Sequence, residues 1–497
     1  MPDRLYNDSL TLLTDLYQLT MAYGYWKLGK AEQQAVFNLF FRTHPFQGGF
    51  TVAAGLQYAI DYLRGLRFAE EDLAYLATLT GNDGQPLFAA EFLAYLRALE
   101  FTVDIAAIPE GTVVFPQEPL LRVSGPIIQC QLLETPLLNM VNFQTLIATK
   151  AARICLAAAG DTVMEFGLRR AQGIDGGLAA SRACFIGGCA STSNVLAGKR
   201  FGIPVKGTHA HSWVMSFDDE LESFLGYAQA MPNNCVFLVD TYDTIEGVCK
   251  AVEAGKQLRA RGYEMVGIRL DSGDLAYLSK EARKILDEHG FPRAQIIASN
   301  DLDEHLIASL KAQGAPINIW GVGTRLVTGY DQPALGGVYK LAAVRDDDGA
   351  WQPRLKLSEQ AIKINTPGLL QVRRYRDGEQ FVADMLFDEQ EGIQQPATMI
   401  DPLDSTRRKW IPPDVAYEEL LTPIFRHGEL VYTCPPLPEI QQRAQTQLTH
   451  FHAGVKRFIN PHQYPVGLEK GVHERKTALI LQARQRRDET DIDSILS

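Results

Sequence analysis

No uncharged apolar run of about eighteen residues occurs anywhere in the 497-residue chain, which excludes a membrane-spanning helix. Cysteine is sparse and without pattern. The seven thiols are an odd number, no Cys-x-x-Cys occurs, and Cys184 and Cys189 are the nearest two. That argues against a disulfide framework or a structural zinc, and for reduced thiols in a cytoplasmic protein. Positive charge is also short. Lys and Arg number 48 against 59 Asp and Glu, a formal net charge of −11. Such a chain is a poor partner for nucleic acid or an anionic membrane, so a phosphorylated substrate would have to be held by local clusters of arginine. The stretch Met1–Leu10 carries Asp3, Arg4 and Asp8 and lacks the apolar centre of a secretory signal. Two nucleotide-binding signatures are missing as well. Gly321-x-Gly323 is not completed, because Leu326 holds the last glycine's place, and Gly198-Lys199 is followed by Arg200 instead of a hydroxyl residue. Neither a Rossmann dehydrogenase nor a P-loop NTPase is indicated.

What is present belongs to a globular protein of 46% hydrophobic and 22% charged residues. The length calls for two or three domains. Residues up to about 100 read as helical, around Leu12, Leu16 and Leu19, then Gly55–Leu66 and Phe88–Leu99, with a strand at Ala35–Phe41. Short strands follow at Val103–Ile105, Val113–Phe115 and Leu120–Val123, separated by proline and glycine turns. A long helix is predicted from Leu132 through Ala159. The rhythm then changes to short apolar runs, each followed by polar residues and a helix: Thr162–Phe166, Phe201–Val205, Val236–Val239, Met265–Ile268, Gln295–Ala298 and Ile317–Trp320. Helices are expected over Asp274–His289 and from Asn300, with Asp303 resembling part of a capping box. Strand–helix repetition means a parallel sheet with helical crossovers, either a closed barrel or an open doubly wound sheet. After Val338 strands return at Val338–Leu341, Leu355–Leu357, Leu370–Val372 and Phe381–Ala383, with a hairpin turn over Arg345–Ala350. A strand-rich segment there can rejoin the earlier small sheet. The divisions are 1–140, helical and sheet; 141–340, the strand–helix repeat; 341–440, the strand-rich return; and 441–497, charged and helical.

The polar residues after each apolar run carry the functional argument. They are Arg169 and Arg170; Thr208 and His211; Asp240 and Asp243; Arg269, Asp271, Ser272, Gly273 and Asp274; Ser299, Asn300 and Asp301; and Gly321, Gly323, Thr324 and Arg325. In parallel barrels chemistry collects at the carboxyl ends of the strands. Each has an ordinary reading: Arg169-Arg170 as a solvated face, Asp271 and Asp274 as helix caps, Gly321-x-Gly323 as a plain turn. Together they form a coherent set. Glycine-freed backbone amides and Thr324 suit a phosphate. Arginine grips a carboxylate or phosphate with two prongs. Aspartates can hold Mg²⁺ against a diphosphate. A histidine beside a nucleoside triphosphate can take up a phosphoryl group.

With those residues in place, the chain closely resembles the nicotinate phosphoribosyltransferase family. The likeness runs in one order through Thr14–Met21, Glu165–Gln172, Gly207–His211, Leu238–Tyr242, Arg269–Leu275, Ala298–Asp301, Gly321–Thr324 and Gln332–Leu341. The resemblance implies an irregular parallel α/β barrel beside a second, smaller α/β sheet domain built from both ends of the chain, as a homodimer. It implies conversion of nicotinate and 5-phosphoribosyl 1-diphosphate to nicotinate mononucleotide and diphosphate, driven by ATP with Mg²⁺, in the salvage route to NAD. It implies that His211 is phosphorylated, that Thr208 and Arg269 bind nicotinate with Tyr17 closing the pocket, and that Gly321, Gly323 and Thr324 hold the 5-phosphate. It places Arg169 and Arg170 near the substrates, with Ser272 and Gly273 on the phosphoribosyl diphosphate. Asp240 and Asp271 contact ribose or metal, with Asp271 the metal ligand. The family varies at position 209, so His209 is read as incidental. Rival readings are a sister enzyme using nicotinamide, a catalytically silent relative that only binds, and an aldolase-type barrel, for which Lys206 is the sole Schiff-base candidate at a strand end.

Overall fold

The computed structural model describes residues 9–496, so most of the Met1–Leu10 stretch lies outside the described residues. It is a mixed α/β protein with parallel and antiparallel sheets, in two compact units. One unit comprises the residues up to Thr145, Leu335–Pro436 and those from Thr446 on. The other comprises Leu146–Ala334 with Leu437–Gln445.

The first unit is organised by a seven-stranded sheet in the order 351–353, 337–345, 34–41, 121–126, 104–107, 422–426 and 429–430. Its centre is Gln34–Phe41, which pairs antiparallel with Gly337–Arg345 on one side and Leu121–Pro126 on the other. Residues 35–41 are all buried. A strand covered on both faces needs a nearly continuous apolar run, and Ala-Val-Phe-Asn-Leu-Phe-Phe is one. A second sheet, six-stranded, encloses an ion pair: Arg374 Nη2 lies 2.5 Å from Asp384 Oδ2, with both side chains fully buried. The Tyr464 hydroxyl donates to Asp384 Oδ1 at 2.9 Å, and Arg374 Nη2 also donates to the Val113 carbonyl at 2.8 Å. The Phe381 and Phe451 rings stand 5.0 and 5.2 Å from the guanidinium. The predicted strand Leu355–Leu357 does not form; that segment is a loop after the strand Trp351–Pro353.

The second unit carries six parallel strands: β1 (Thr162–Glu165), β2 (Ser191–Thr192), β3 (Val236–Leu238), β4 (Gly267–Leu270), β5 (Gln295–Ala298) and β6 (Ile319–Val322). Their spatial order is β2-β1-β6-β5-β4-β3. Between them lie α1 (Gly173–Ile186), α2 (Val195–Phe201), α3 (His211–Met215), α4 (Glu220–Ala230), α5 (Thr244–Ala260), α6 (Leu275–Glu288), α7 (Glu304–Ala312) and α8 (Thr324–Val327). Two expectations are corrected here. Phe201–Val205 is not a strand. α2 extends to Phe201, Gly202 stops it at φ 69°, and Pro204 lacks a backbone donor, so only Val205 bridges to Thr192. The helix expected from Asn300 starts at Glu304. Asp303 is itself the cap, accepting from the amides of His305 and Leu306 at 3.0 and 2.8 Å, and Asn300 sits at φ 91°.

Candidate active site

The carboxyl ends of β1, β4, β5 and β6 and the loop 207–210 surround a cleft of about 540 Å³. Arg169, Arg170, Thr208, Arg269, Asp271, Gly321, Gly323 and Thr324 all line it. Sequence reasoning passed over Phe166 and Ser193, which also line it, and read His209, a further lining residue, as incidental. Phe166 had a signal, since a ring follows β1 directly. Ser193 had none, because β2 is only two residues long.

The turn that presents the arginines is fixed by Glu165. Its buried carboxylate accepts from the Gly167 amide through Oε1 and from the Ser181 and Thr192 hydroxyls through Oε2. A 3-10 turn, Leu168–Arg170, follows and leaves both guanidinium groups exposed. Opposite, Gly321 is dictated by packing: a Cβ there would stand 2.8 Å from the Phe166 ring. Gly323 faces the Phe166 carbonyl at 3.2 Å in the same sense, and Thr324 opens α8.

Arg269, at the end of β4, donates through Nη1 to Thr208 Oγ1 and, at 3.3 Å, to the His209 carbonyl. Its Nε is enclosed and has no partner among the described residues. Burial pulls its pKa down, Asp271 and Asp240 pull it up, and Arg169 pulls it down again. Arginine keeps its charge through shifts of this kind. A fixed guanidinium at the wall of such a cleft can grip a carboxylate or a phosphate.

His211, Asp240, Ser272 and Gly273 do not line the cleft but adjoin it. His211 opens α3. Its Nδ1 is 3.1 Å from Thr241 Oγ1, and its Nε2 is 3.7 Å from Asp271 Oδ2. Asp271 Oδ1 accepts from Ser299 Oγ. Asp240 Oδ2 accepts from the Asp271 amide at 2.8 Å and the Ser272 hydroxyl at 2.7 Å, while its Oδ1 is enclosed without a partner among the described residues. Gly273 sits at φ 77°, and the next residue, Asp274, caps α6 by accepting from the amides of Ala276 and Tyr277. The capping function therefore falls to Asp274 and leaves Asp271 facing the cleft. Tyr17 belongs to the other unit, 47% exposed on the helix Leu16–Lys27, and is not among the lining residues. Lys206 is exposed and does not line the cleft either.

Comparison with known proteins places this site in a context. Residues 12–142 match the nicotinate phosphoribosyltransferase N-terminal domain, 162–348 the nicotinate phosphoribosyltransferase family, and 371–476 the corresponding C-terminal domain. The Bacillus subtilis protein named nicotinate phosphoribosyltransferase is 46% identical over 491 residues, covering 97% of this chain and 98% of that one. The Homo sapiens protein of the same name is 37% identical, covering 94% and 96%. The crystal structure of human nicotinic acid phosphoribosyltransferase superposes with a TM-score of 0.81 at 35% identity, covering 94% of this chain and 99% of that one.

Proposed function

The chain belongs to the nicotinate phosphoribosyltransferase family, and we propose that it joins nicotinate to 5-phosphoribosyl 1-diphosphate with ATP hydrolysis coupled through His211. The products are nicotinate mononucleotide and diphosphate, an entry of salvaged nicotinate into NAD. The observation that carries this is Arg269. It is pinned to Thr208 and the His209 carbonyl and lines a cleft that two more arginines also line. A guanidinium so fixed takes the carboxylate of nicotinate, with the Thr208 hydroxyl beside it.

The sugar phosphate then lies towards Gly321, Gly323 and Thr324, and the diphosphate towards Arg169, Arg170, Ser272 and Gly273. The C1–oxygen bond to diphosphate lengthens as the pyridine nitrogen approaches C1, and positive charge grows on the sugar, as in glycosyl transfer generally. The arginines stabilise the departing anion. In the coupled half-reaction His211 takes the γ-phosphoryl group of ATP. A nitrogen–phosphorus bond forms, the oxygen–phosphorus bond to ADP breaks, and water later releases inorganic phosphate. With Nδ1 protonated and donating to Thr241, Nε2 carries the lone pair for this attack.

Mg²⁺ fits the same residues. Asp240 Oδ1 is an enclosed, unpartnered oxygen, and Asp271 offers a second carboxylate. No cluster of three or more His, Cys, Asp or Glu able to cage a metal occurs among the described residues. An ion there would be held by these one or two carboxylates and the substrate's own phosphates. Bound there, Mg²⁺ would neutralise charge on the diphosphate. We read the parallel sheet as an irregular barrel and the working form as a cytoplasmic homodimer. The exposed Leu13, Leu16, Tyr17 and Met21 offer an apolar face for the second copy, through which Tyr17 closes the neighbouring pocket.

The test is diphosphate release from 5-phosphoribosyl 1-diphosphate with nicotinate or nicotinamide, with and without ATP. Turnover with nicotinate that rises with ATP is expected. A preference for the amide would defeat the assignment of Arg269.

A further inference from the structure

We propose that His209 is a positioning residue: its imidazole stands in for a missing strand at the free edge of β3 and thereby holds Thr208, Arg269 and His211 in register. That role presupposes that Arg269 and Thr208 receive nicotinate, as argued above.

β3 is the last strand of its sheet. On one side it pairs with β4, with Leu238 opposite Arg269. A buried amide on the other side needs an acceptor. The Leu238 amide finds one in His209 Nε2, at 3.2 Å. The opposite edge of the sheet, β2, is met by the backbone of the same loop. Thr192 donates to the Pro204 carbonyl, and Lys206 donates to the Thr192 carbonyl, both at 3.0 Å. Residues 204–209 thus bridge the two edges, with main chain at one end and a side chain at the other.

An imidazole protonated at Nδ1 presents a lone pair at Nε2, which lysine and arginine cannot do. The ring is 7% exposed and packs edge-on against Tyr227 at 4.8 Å, so its direction is fixed. Burial holds it neutral, its pKa lowered to about 4, against the opposite pull of the Ala210 carbonyl; Arg269 and His211 add to the lowering. Its own carbonyl accepts from Arg269, whose Nη1 also donates to Thr208, and Ala210 is the residue from which α3 begins with His211. One residue therefore grips β3 with its ring and the β4 arginine with its carbonyl. A shift of the ring would move the nicotinate contacts together.

The test uses the full chain. H209Q places an amide oxygen close to the Nε2 position and keeps the acceptor, whereas H209L removes it and H209N falls short of it. In H209L the Leu238 amide should exchange with deuterium about tenfold faster or more, and the KM for nicotinate should rise by about the same factor. The KM for phosphoribosyl diphosphate should stay within about twofold, and H209Q should restore both readouts. Unchanged exchange and KM in H209L, or equal impairment of H209Q and H209L, would overturn the role. Should H209L fail to fold, the wild-type ring nitrogen shifts, assigned by subtraction of the H209Q spectrum, decide. An unprotonated Nε2 is expected, and a protonated one overturns it. Faster exchange at Leu238 in H209L supports the edge contact whether or not turnover is seen. Absence of turnover with nicotinate in the wild type would instead refute the assigned reaction.

Discussion

Substituting Arg269 by lysine keeps the charge at the end of β4 and removes the fork. In the structure Nη1 is already committed to Thr208 and the His209 carbonyl, and Nε is enclosed without a partner among the described residues. A lysine ammonium has donors in one place only, so it cannot hold the loop and a carboxylate at separate atoms. One charge-assisted hydrogen bond is worth about 1.5–3 kcal/mol. At about 1.4 kcal/mol per factor of ten, that corresponds to a rise of roughly 10- to 150-fold in the KM for nicotinate. The KM for phosphoribosyl diphosphate should move far less, because its anionic groups are assigned to residues other than Arg269, most of them at other strand ends. The measurement is steady-state diphosphate release with each substrate varied in turn, beside a circular dichroism melt showing the fold intact. A nicotinate KM unchanged in a folded R269K enzyme would remove the carboxylate role, and an equal rise for both substrates would show that the change disrupts the cleft as a whole.

Other consequences are as direct. His211→Ala should abolish labelling of the protein from γ-labelled ATP and the ATP-linked stimulation while leaving the melting temperature within a degree or two of wild type; persistent labelling would move the phosphorylated group elsewhere. Acid should weaken the fold through His209 and His44, whose pKa values are lowered to about 4 and about 3 by burial. Because both values fall below the unfolded value of about 6.5, the unfolded chain binds the extra protons. Stability is then full above about 6.5 and lost as pH falls from there towards 4 and 3. Between pH 7 and pH 5 each contributes a loss of about 2 kcal/mol, and urea unfolding of H209Q should show a loss smaller by that amount. Asp384→Asn leaves Arg374 buried with Glu118 as the remaining carboxyl acting on it and should cost about 3–5 kcal/mol, seen as a large fall in urea midpoint; a fall of under 1 kcal/mol would mean that Glu118 takes over the charge.

Some of this could be read from the chain alone. α6 was expected over Asp274–His289 and spans Leu275–Glu288, because its cap and its apolar face are local signals. β6 was expected at Ile317–Trp320 and lies two residues later, since Gly321 and Val322 continue the ladder beside β1 and only the neighbouring strand reveals it. Phe201–Val205 misled for the opposite reason. Its apolar composition is that of a strand, but α2 extends through Phe201, and the close fit of Gly198 under Val205 is a tertiary contact. The pairing of Gln34–Phe41 with Gly337–Arg345 joins residues some three hundred apart, a distance at which no local pattern operates. The polar strand ends were visible because parallel strands gather their carboxyl ends. The share of each polar group spent on the fold itself was not.

That share separates the aspartates. Around these strand ends side-chain acceptors repeatedly serve backbone amides: buried Glu165 takes Gly167, Asp303 takes His305 and Leu306, and His209 takes Leu238, half-buried Asp240 takes Asp271, and exposed Asp274 takes Ala276 and Tyr277. Where the amide is buried, such a bond satisfies a donor that would otherwise cost about 1–3 kcal/mol to bury. A group so engaged is restrained in direction and less able to follow a reacting atom. Asp240 has one oxygen doubly committed to Asp271 and Ser272, and its free oxygen is enclosed. Asp271 has one oxygen on Ser299, while the other faces His211 from the wall of the cleft. Of the two, Asp271 lines the cleft and Asp240 does not. Asp240 fixes the backbone of Asp271, a difference that an inventory of acidic residues at strand ends could not have told apart.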